Sequence, residues 1–396
     1  MKRIAFVVNT LSSGGAERVV SNLSRMLSDR YHIDLILNDG WNINYPYSGE
    51  VISLGMPGEA DRMQAGYQLR ALAKRTALLH RLKKEKQYAA VISFSDNTNL
   101  SNILSGGKHG KVIVSIRNSL AGKEASEHRI ILLHRIKQYA YCLLADRVVC
   151  CSKGIAADIA VPSRGIRNKI SVIYNGVSIP EKRNASGNNK TPRIITMGRL
   201  TEQKAQRHLL YAVRELKDRG IRVELAILGE GKLRQELEDL SAALDIADRV
   251  MMPGWVKDTD EYLSEADAAV ISSDYEGFCN AILEALAYGV PCISTDHKTG
   301  AREILAPDTD WREKVTDHID YAEYGILVPV CNDDTGASGD AGTGRKASER
   351  EKMLADAIYR IVTDKELAEH YRSAGSQRAR QLSLEAAAEE WARLVG

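Results

Sequence analysis

The chain has 396 residues, 44% of them hydrophobic and 27% charged, with a net charge of +2. That is enough apolar material for two packed domains, and the near-neutral balance excludes a chain given over to nucleic-acid binding while leaving room for local basic patches. No stretch approaches the roughly 18 consecutive apolar residues of a membrane-spanning helix.

The N-terminal MKRIAFVVNT has an apolar run of five residues, too short for the core of a signal peptide, and predicts a buried first strand at 3–9. Further β-rich runs at 32–38, 89–95, 111–117, 147–152 and 170–175 alternate with helical patterns. PEKRNASGNNKTP (180–192) is polar and rich in Asn, Gly and Pro, the composition of a linker. The alternation then restarts, with strands expected at 193–198, 223–229, 249–254, 268–273, 291–295 and 324–330. CNDDTGASGDAGTGRKASERE (331–351) lacks apolar content and reads as an insertion, and helical patterns from 349 to 395 close the chain. Strands alternating with helices specify an α/β fold of parallel sheets. The expected architecture is two Rossmann-like, doubly wound domains, 1–180 and 193–375, joined by a linker at 181–192. A C-terminal helix over 376–396 is expected to pack back on the first domain. The six cysteines (Cys142, Cys150, Cys151, Cys279, Cys292, Cys331) form no C-x-x-C pair, and several lie inside apolar runs, which points to reduced thiols.

Ligands of open parallel sheets bind beyond the carboxyl ends of the strands, so four loops matter. NTLSSGGAERVVSNL (9–23) has two glycines before a helix starting near Ala16, where unpaired backbone donors suit a phosphate; a plain tight turn fits the same residues. It matches neither the dinucleotide nor the P-loop fingerprint. MGRLTEQKAQRHLL (197–210) puts Arg199 and Lys204 directly after a strand. A fork and a point charge together suit a diphosphate, against the alternative of ordinary surface charge. In SSDYEGFCNAILEALAYG (272–289), Gly277 allows close backbone approach, the amides of Phe278 to Ala281 open a helix, and Glu276 and Glu284 lie before and within it. A carboxylate in such an apolar helix needs a partner, either a pair of sugar hydroxyls or a buried cation. STDHKTGAREIL (294–305) is a further polar loop on the same edge.

Together the E-x7-E pair Glu276/Glu284, the GRL…K loop, the SGGAER loop and SSDYEGFCNAILEALAYGVPCIST resemble retaining glycosyltransferases of the GT-B fold. Among these they most resemble the large bacterial family 4 (glycosyl transferases group 1), typified by lipid-linked oligosaccharide, capsule and lipopolysaccharide transferases. The resemblance covers essentially the whole chain and is strongest in the second domain. It implies two Rossmann-like domains facing across a cleft, with a nucleotide sugar, UDP-linked above all, bound by the second. Arg199 and Lys204 would then neutralise the diphosphate without a metal ion, Glu276 would bind donor-sugar hydroxyls and Glu284 the ribose. Gly15 and the amides after Gly277, at Phe278, Cys279 and Asn280, would contact phosphate, and backbone around Gly254 and Trp255 would face the base. The implied acceptor is lipid-linked or glycan, and the implied location is cytoplasmic, peripheral at the inner face of the cell membrane. One departure stands out. Where many relatives carry a histidine after the fourth strand of the first domain, VSIRNSL offers Arg117 and Asn118, able to hydrogen-bond sugar or phosphate but not ready general bases. In the family a leaving phosphate oxygen helps deprotonate the acceptor.

The DTD runs at 258–260 and 308–310 lie in polar loops and the nine histidines form no zinc motif, so no metal and no cofactor beyond the nucleotide sugar is expected. From Arg62 to Lys86 the chain carries eight Lys/Arg against one Glu, with Leu69, Leu72, Leu79 and Leu82 at helical spacing. Two accounts compete: a helix lying on anionic lipid, or an amphipathic core helix with a solvated basic face. A second basic cluster is His134, Arg135 and Lys137. Two rival functions stand beside the transferase. A GT-B epimerase of UDP-sugars would need no acceptor, and a non-catalytic sugar-nucleotide-binding subunit would release no UDP.

Overall fold

The computed structural model describes residues 1–12, 14–55, 65–118, 128–159, 164–181, 189–331 and 345–396. Ser13 of the Gly-Gly loop, Arg62, residues 182–188 of the linker and residues 332–344 of the insertion lie outside the described residues, as does the side chain of His134. The chain divides into two compact units, Met1–Gly176 with Leu384–Gly396, and Val177–Ser383.

In the first unit seven parallel strands run β1 (Lys2–Val8), β2 (Tyr31–Leu37), β3 (Glu50–Ser53), β4 (Ala90–Ser93), β5 (Lys111–Ile116), β6 (Arg147–Cys150) and β7 (Ile170–Val172), in the spatial order 3-2-1-4-5-6-7. Most are short apolar runs buried on both faces, as all-parallel sheets require. β3 was not anticipated: EVIS is a half-exposed edge strand with too little apolar content to signal itself. The helices are α1 (Gly15–Met26), α2 (Ala65–Lys86), α3 (Asp96–Leu104), α4 (His128–Leu144), α5 (Lys153–Asp158) and α6 (Arg164–Arg167).

The second unit repeats the plan with β8 (Arg193–Met197), β9 (Glu224–Leu228), β10 (Val250–Gly254), β11 (Ala268–Ile271), β12 (Cys292–Thr295), β13 (Asp320–Ala322) and β14 (Gly325–Val328), ordered 10-9-8-11-12-14-13. All pairings are parallel except β13 with β14, a three-residue antiparallel edge that also gave no apolar signal. Its helices are α7 (Gln206–Asp218), α8 (Arg234–Ala243), α9 (Asp260–Glu265), α10 (Asn280–Ala287), α11 (Ala301–Leu305), α12 (Glu349–Thr363) and α13 (Lys365–Gln381). α12 opens with a capping box of Ser348 and Glu351. Glu351 is fully buried and accepts from Arg345 (2.5 and 2.6 Å), Ser348 N–H (2.7 Å) and His208 on α7 (2.7 Å). Burial pushes the Glu351 carboxyl up, but the Arg345 and His208 hydrogen bonds outweigh it and hold the pKa at about 2.

The last helix, α14 (Leu384–Val395), belongs to the first unit. The expected closing helix over 376–396 is therefore two pieces: 376–381 end α13 in the second unit, and only the segment from Leu384 returns. Its Trp391 is 1% exposed and lies 5.4 Å from Phe94 with the rings tilted by 39°, and Phe94 meets Phe6 of β1 edge-on at 5.8 Å. Before it, Ser383 bridges to Val177, so the second unit's two ends lie side by side.

α2 decides between the two accounts of the leucine stripe. Leu79 and Leu82 are buried against Ala5, Val7, Ile36 and Val91, so they are core and cannot face lipid; Leu69 alone of the four is strongly exposed. Arg75 is buried on Asn38 and Ser101, and Lys83 donates to the carbonyls of Asn102 (2.9 Å) and Gly106 (2.8 Å). Burial lowers the Lys83 ammonium to about 8. Arg70, Arg81 and Lys84 remain at the surface.

Candidate active site

In the second unit the strand order reverses between β8 and β11, and the crevice at such a switch point is where open α/β sheets hold ligands. The loops leaving these two strands carry the charged candidates. After β8 the chain passes Gly198 and Arg199 into one turn of 3-10 helix, Glu202–Lys204, which Ala205 ends in a left-handed conformation (φ 48°, ψ 37°) before α7 begins. Non-glycine residues hold that conformation only at a cost of about 1–3 kcal/mol, so the surrounding packing must fix it. Gly198 and Gly229 make the approach of the β8 and β9 loops possible: a Cβ on Gly229 would lie 1.9 Å from the Gly198 carbonyl oxygen.

Lys204 Nζ donates to Glu276 Oε1 from the loop after β11. Their side chains are 19% and 10% exposed. Glu276 also accepts from Ser273 Oγ (2.9 Å) and Gln203 Nε2 (3.3 Å), while Gln203 donates to the Tyr275 carbonyl (2.8 Å) and Ser272 Oγ to the Lys204 carbonyl (3.1 Å). The two loops are thus sewn together. Burial pulls the Lys204 ammonium down, but the Glu276 carboxylate overcomes it and the pKa is raised. Burial pushes Glu276 up, but Lys204 and the hydrogen bond from Ser273 overcome it and the pKa is lowered. Both groups are charged at neutral pH, as a compensated buried pair must be. Arg199 is exposed and its guanidinium makes no hydrogen bond or ion pair among the described residues.

Gly277 and Phe278 lead into α10, whose N-cap is Cys279 and first residue Asn280, with no side-chain cap. Burial, with the nearby Glu276 charge, pushes the Cys279 thiol up to about 11, so it is a neutral apolar group and no nucleophile. Glu284 is half-buried on the second turn of α10. Gly254 and the half-exposed Trp255 end β10 at the sheet edge, where Gly254 (φ +86°) packs on Glu230.

The loop after β12 completes the cluster. Thr295 Oγ1 donates to the Ser273 carbonyl (2.5 Å), Thr299 Oγ1 to the Glu276 carbonyl, and Asp296 is gripped by Arg302 (2.7 and 3.0 Å) and the Val315 amide (2.9 Å). Gln203, Ser273, Thr299 and His297 were not singled out from sequence. In sequence the STDHKTG loop reads only as polar, and short hydroxyl side chains carry no spacing signal.

The first unit has its own switch point, between β1 and β4. Gly14 (φ +124°) leads into α1, whose first residue is the exposed Gly15, and the Gly14 amide meets Tyr45 Oη at 3.4 Å. After β5, Arg117 donates to Ser115 Oγ (3.2 Å) and Asn175 Oδ1 and lies 5.9 Å over the Phe94 ring. Burial pulls its pKa below the usual guanidinium value. Asn118 is exposed. Arg135 is exposed too, and Lys137 pairs with Asp96 at 3.4 Å.

Two doubly wound units in series, the second with a cation loop after its first strand and a carboxylate after its fourth, define a class: sugar transferases of the GT-B fold. Residues 178–328 match the family described as glycosyl transferases group 1, and residues 13–180 match Glycosyltransferase Family 4. An uncharacterized glycosyltransferase of Methanocaldococcus jannaschii is 30% identical over 345 residues, 82% of this chain and 83% of that one. A Campylobacter jejuni enzyme, N-acetylgalactosamine-N,N'-diacetylbacillosaminyl-diphospho-undecaprenol 4-alpha-N-acetylgalactosaminyltransferase, is 26% identical over 386 residues, covering 90% of this chain and 99% of its own. In fold, HepE of Anabaena, solved with UDP and glucose, matches at a TM-score of 0.74 and 17% identity, covering 100% of this chain and 99% of that one. The chain belongs to the family 4 glycosyltransferases.

Proposed function

We propose that this glycosyltransferase moves a sugar, with retention of configuration, from a UDP-sugar to a lipid-linked or surface-glycan acceptor. The observation that carries the reading is the Lys204–Glu276 pair at the β8/β11 switch point, with Arg199 beside it. As the bond from the anomeric carbon to the diphosphate oxygen breaks, its electron pair leaves with the diphosphate. Lys204, held cationic, and Arg199, unpaired and exposed, meet that developing charge, the term that weighs most when donors are preorganised. Glu276 keeps lone pairs for sugar hydroxyls, and the acceptor's proton passes to the departing phosphate oxygen. Glu284 holds the ribose, Gly254 and Trp255 border the base, and the amides from Gly277 to Asn280 take the phosphates at a helix start. On the first unit, Gly15 and Arg117 serve phosphate and sugar.

Lys204 and Arg199 supply the positive charge that a divalent ion would otherwise bring, so turnover proceeds without metal. Excess chelator should leave the rate unchanged; a loss restored by Mg²⁺ or Mn²⁺ overturns this part. The acceptor class is supported by the Campylobacter relative, whose printed name places its substrate on diphospho-undecaprenol. For such an acceptor we propose peripheral contact with anionic membrane through Arg70, Arg81 and Lys84 of α2. No helix among the described residues is long and apolar enough to cross a membrane. A thermal-shift screen of UDP-, GDP- and ADP-sugars tests the donor, since a ligand of the native state raises its melting temperature. Silence toward every UDP-sugar overturns the donor assignment. UDP release without acceptor, abolished by Glu276→Ala, separates the transferase from a pure binding subunit.

A further inference from the structure

His297 is a side chain that the mechanism above does not use. It lies in the loop after β12 and is 1% exposed. Neither ring nitrogen, Nδ1 nor Nε2, has a hydrogen-bond partner among the described residues. The loop cannot easily turn it away. Thr295 and Thr299 tie the segment to the Ser273 and Glu276 carbonyls, Arg302 clamps Asp296, and Gly300 (φ +92°) brings the loop onto the Gly277–Phe278 backbone, where a Cβ would lie 3.1 Å from the Phe278 Cα. The charged groups that act on the ring are Glu276, Lys314, Asp296 and Lys204. The cluster reaches solvent at the partly exposed Lys204 and Gly277.

A buried polar group without a partner is destabilising, and an apolar group of the same shape would remove that cost. Resting on the donor reading above, we infer that His297 is a specificity-determining contact for the donor's sugar ring, taking a hydroxyl beside the one bound by Glu276. A hydroxyl both donates and accepts, which matches an imidazole that presents one N–H and one lone pair. Burial lowers the His297 pKa to about 4, so the ring keeps that neutral form at physiological pH and does not repel Lys204. A site built to hydrogen-bond a hydroxyl rejects sugars that lack it or carry it on the other face.

The experiment uses the full chain and the variants His297→Leu and His297→Gln. Melting temperature without ligand is measured, and affinity for UDP, UDP-glucose, UDP-galactose, UDP-GlcNAc and UDP-GalNAc by calorimetry. In His297→Leu the unliganded protein should melt no lower than wild type and UDP affinity should hold. The affinity of the preferred UDP-sugar relative to UDP should fall by about tenfold, the scale of one hydrogen bond to a well-placed partner. His297→Gln should recover part of that ratio, and should keep the test decisive if the leucine variant fails to fold. A wild-type ratio in both variants overturns the inference while leaving the donor reading intact. So does a lower melting temperature in His297→Leu with sugar preference unchanged, which marks a merely structural histidine. If the wild-type chain binds none of the five ligands, the donor reading itself fails and the inference with it.

Discussion

The two units share a plan of seven strands wound about a switch point, yet they furnish it with opposite chemistry. In the second unit the ends of β8, β11 and β12 hold charges locked in pairs: Lys204 with Glu276, and Asp296 with Arg302. In the first, neutral amides do the holding. Asn38 bonds Asn9 (3.1 Å) and Arg75, Asn99 bonds the Ser115 carbonyl (2.9 Å), Asn102 bonds the Val91 carbonyl (2.8 Å), and Asn175 receives Arg117. A fixed charge pair suits a ligand whose charge changes during reaction, because the surrounding dipoles are already oriented. The amide network instead positions its partners, the guanidiniums of Arg75 and Arg117 among them, on neutral oxygens. The same fold therefore supplies an electrostatic half and a positioning half.

That contrast can be broken, first through stability. Trp391→Ala should cost the first unit about 3–5 kcal/mol, the usual range for truncating a large buried aromatic. Hydrogen exchange should show faster opening of β1 and β4 amides with β8 and β11 unchanged; equal opening of both sheets would mean the units do not unfold separately. Next comes Glu351→Gln. A carboxyl depressed from 4.5 to about 2 in the fold contributes stability that is fully present above pH 4.5 and is lost as pH falls through about 2. The contribution is on the order of 3 kcal/mol. The variant should therefore be less stable at pH 7 and converge with wild type near pH 2, read by urea denaturation. A gap that does not narrow with acid would remove the ion pair as its cause.

Catalytic effects are smaller in energy and sharper in meaning. Lys204→Ala and Arg199→Ala should each slow turnover at saturating donor by at least about tenfold, roughly 1.4 kcal/mol in the barrier. They should differ in stability: Lys204→Ala leaves the Glu276 carboxylate buried without its cation and should lower the melting temperature, whereas exposed Arg199 should be removable without thermal cost. Near-wild-type rates in both would end the diphosphate assignment. Smallest per residue is the surface term. Arg70, Arg81 and Lys84 changed together to Glu should weaken sedimentation with acidic liposomes at low salt, by roughly 1 kcal/mol per residue, and leave UDP-sugar affinity unaltered. Lys83 is not part of that test, because a glutamate there would be buried.

Much of the molecule was legible in its sequence, for a physical reason. Strands such as AFVV and VIVSI are buried on both faces and so read as unbroken apolar runs. The edge strands EVIS and DYA are half solvated and too short to stand out, and both were missed. Arg199, Lys204 and Glu276 were visible because each follows a recognisable strand. The α2 leucines left two accounts open because periodicity tells that a face is apolar, not what covers it; the sheet covers Leu79 and Leu82. His297 was hidden for the opposite reason. In a row of polar letters nothing reveals that Thr295, Thr299 and Gly300 fold the loop inward and bury the imidazole.

The return of α14 also fixes an order of assembly. Residues 177–383 form a closed unit whose ends meet at the Val177–Ser383 bridge, so that unit has all its parts before α14 is made. The first unit waits: Phe94 lacks its ring partner until Trp391 has left the ribosome. The half begun first during synthesis is thus finished last, and until then its open face is what a chaperone would meet.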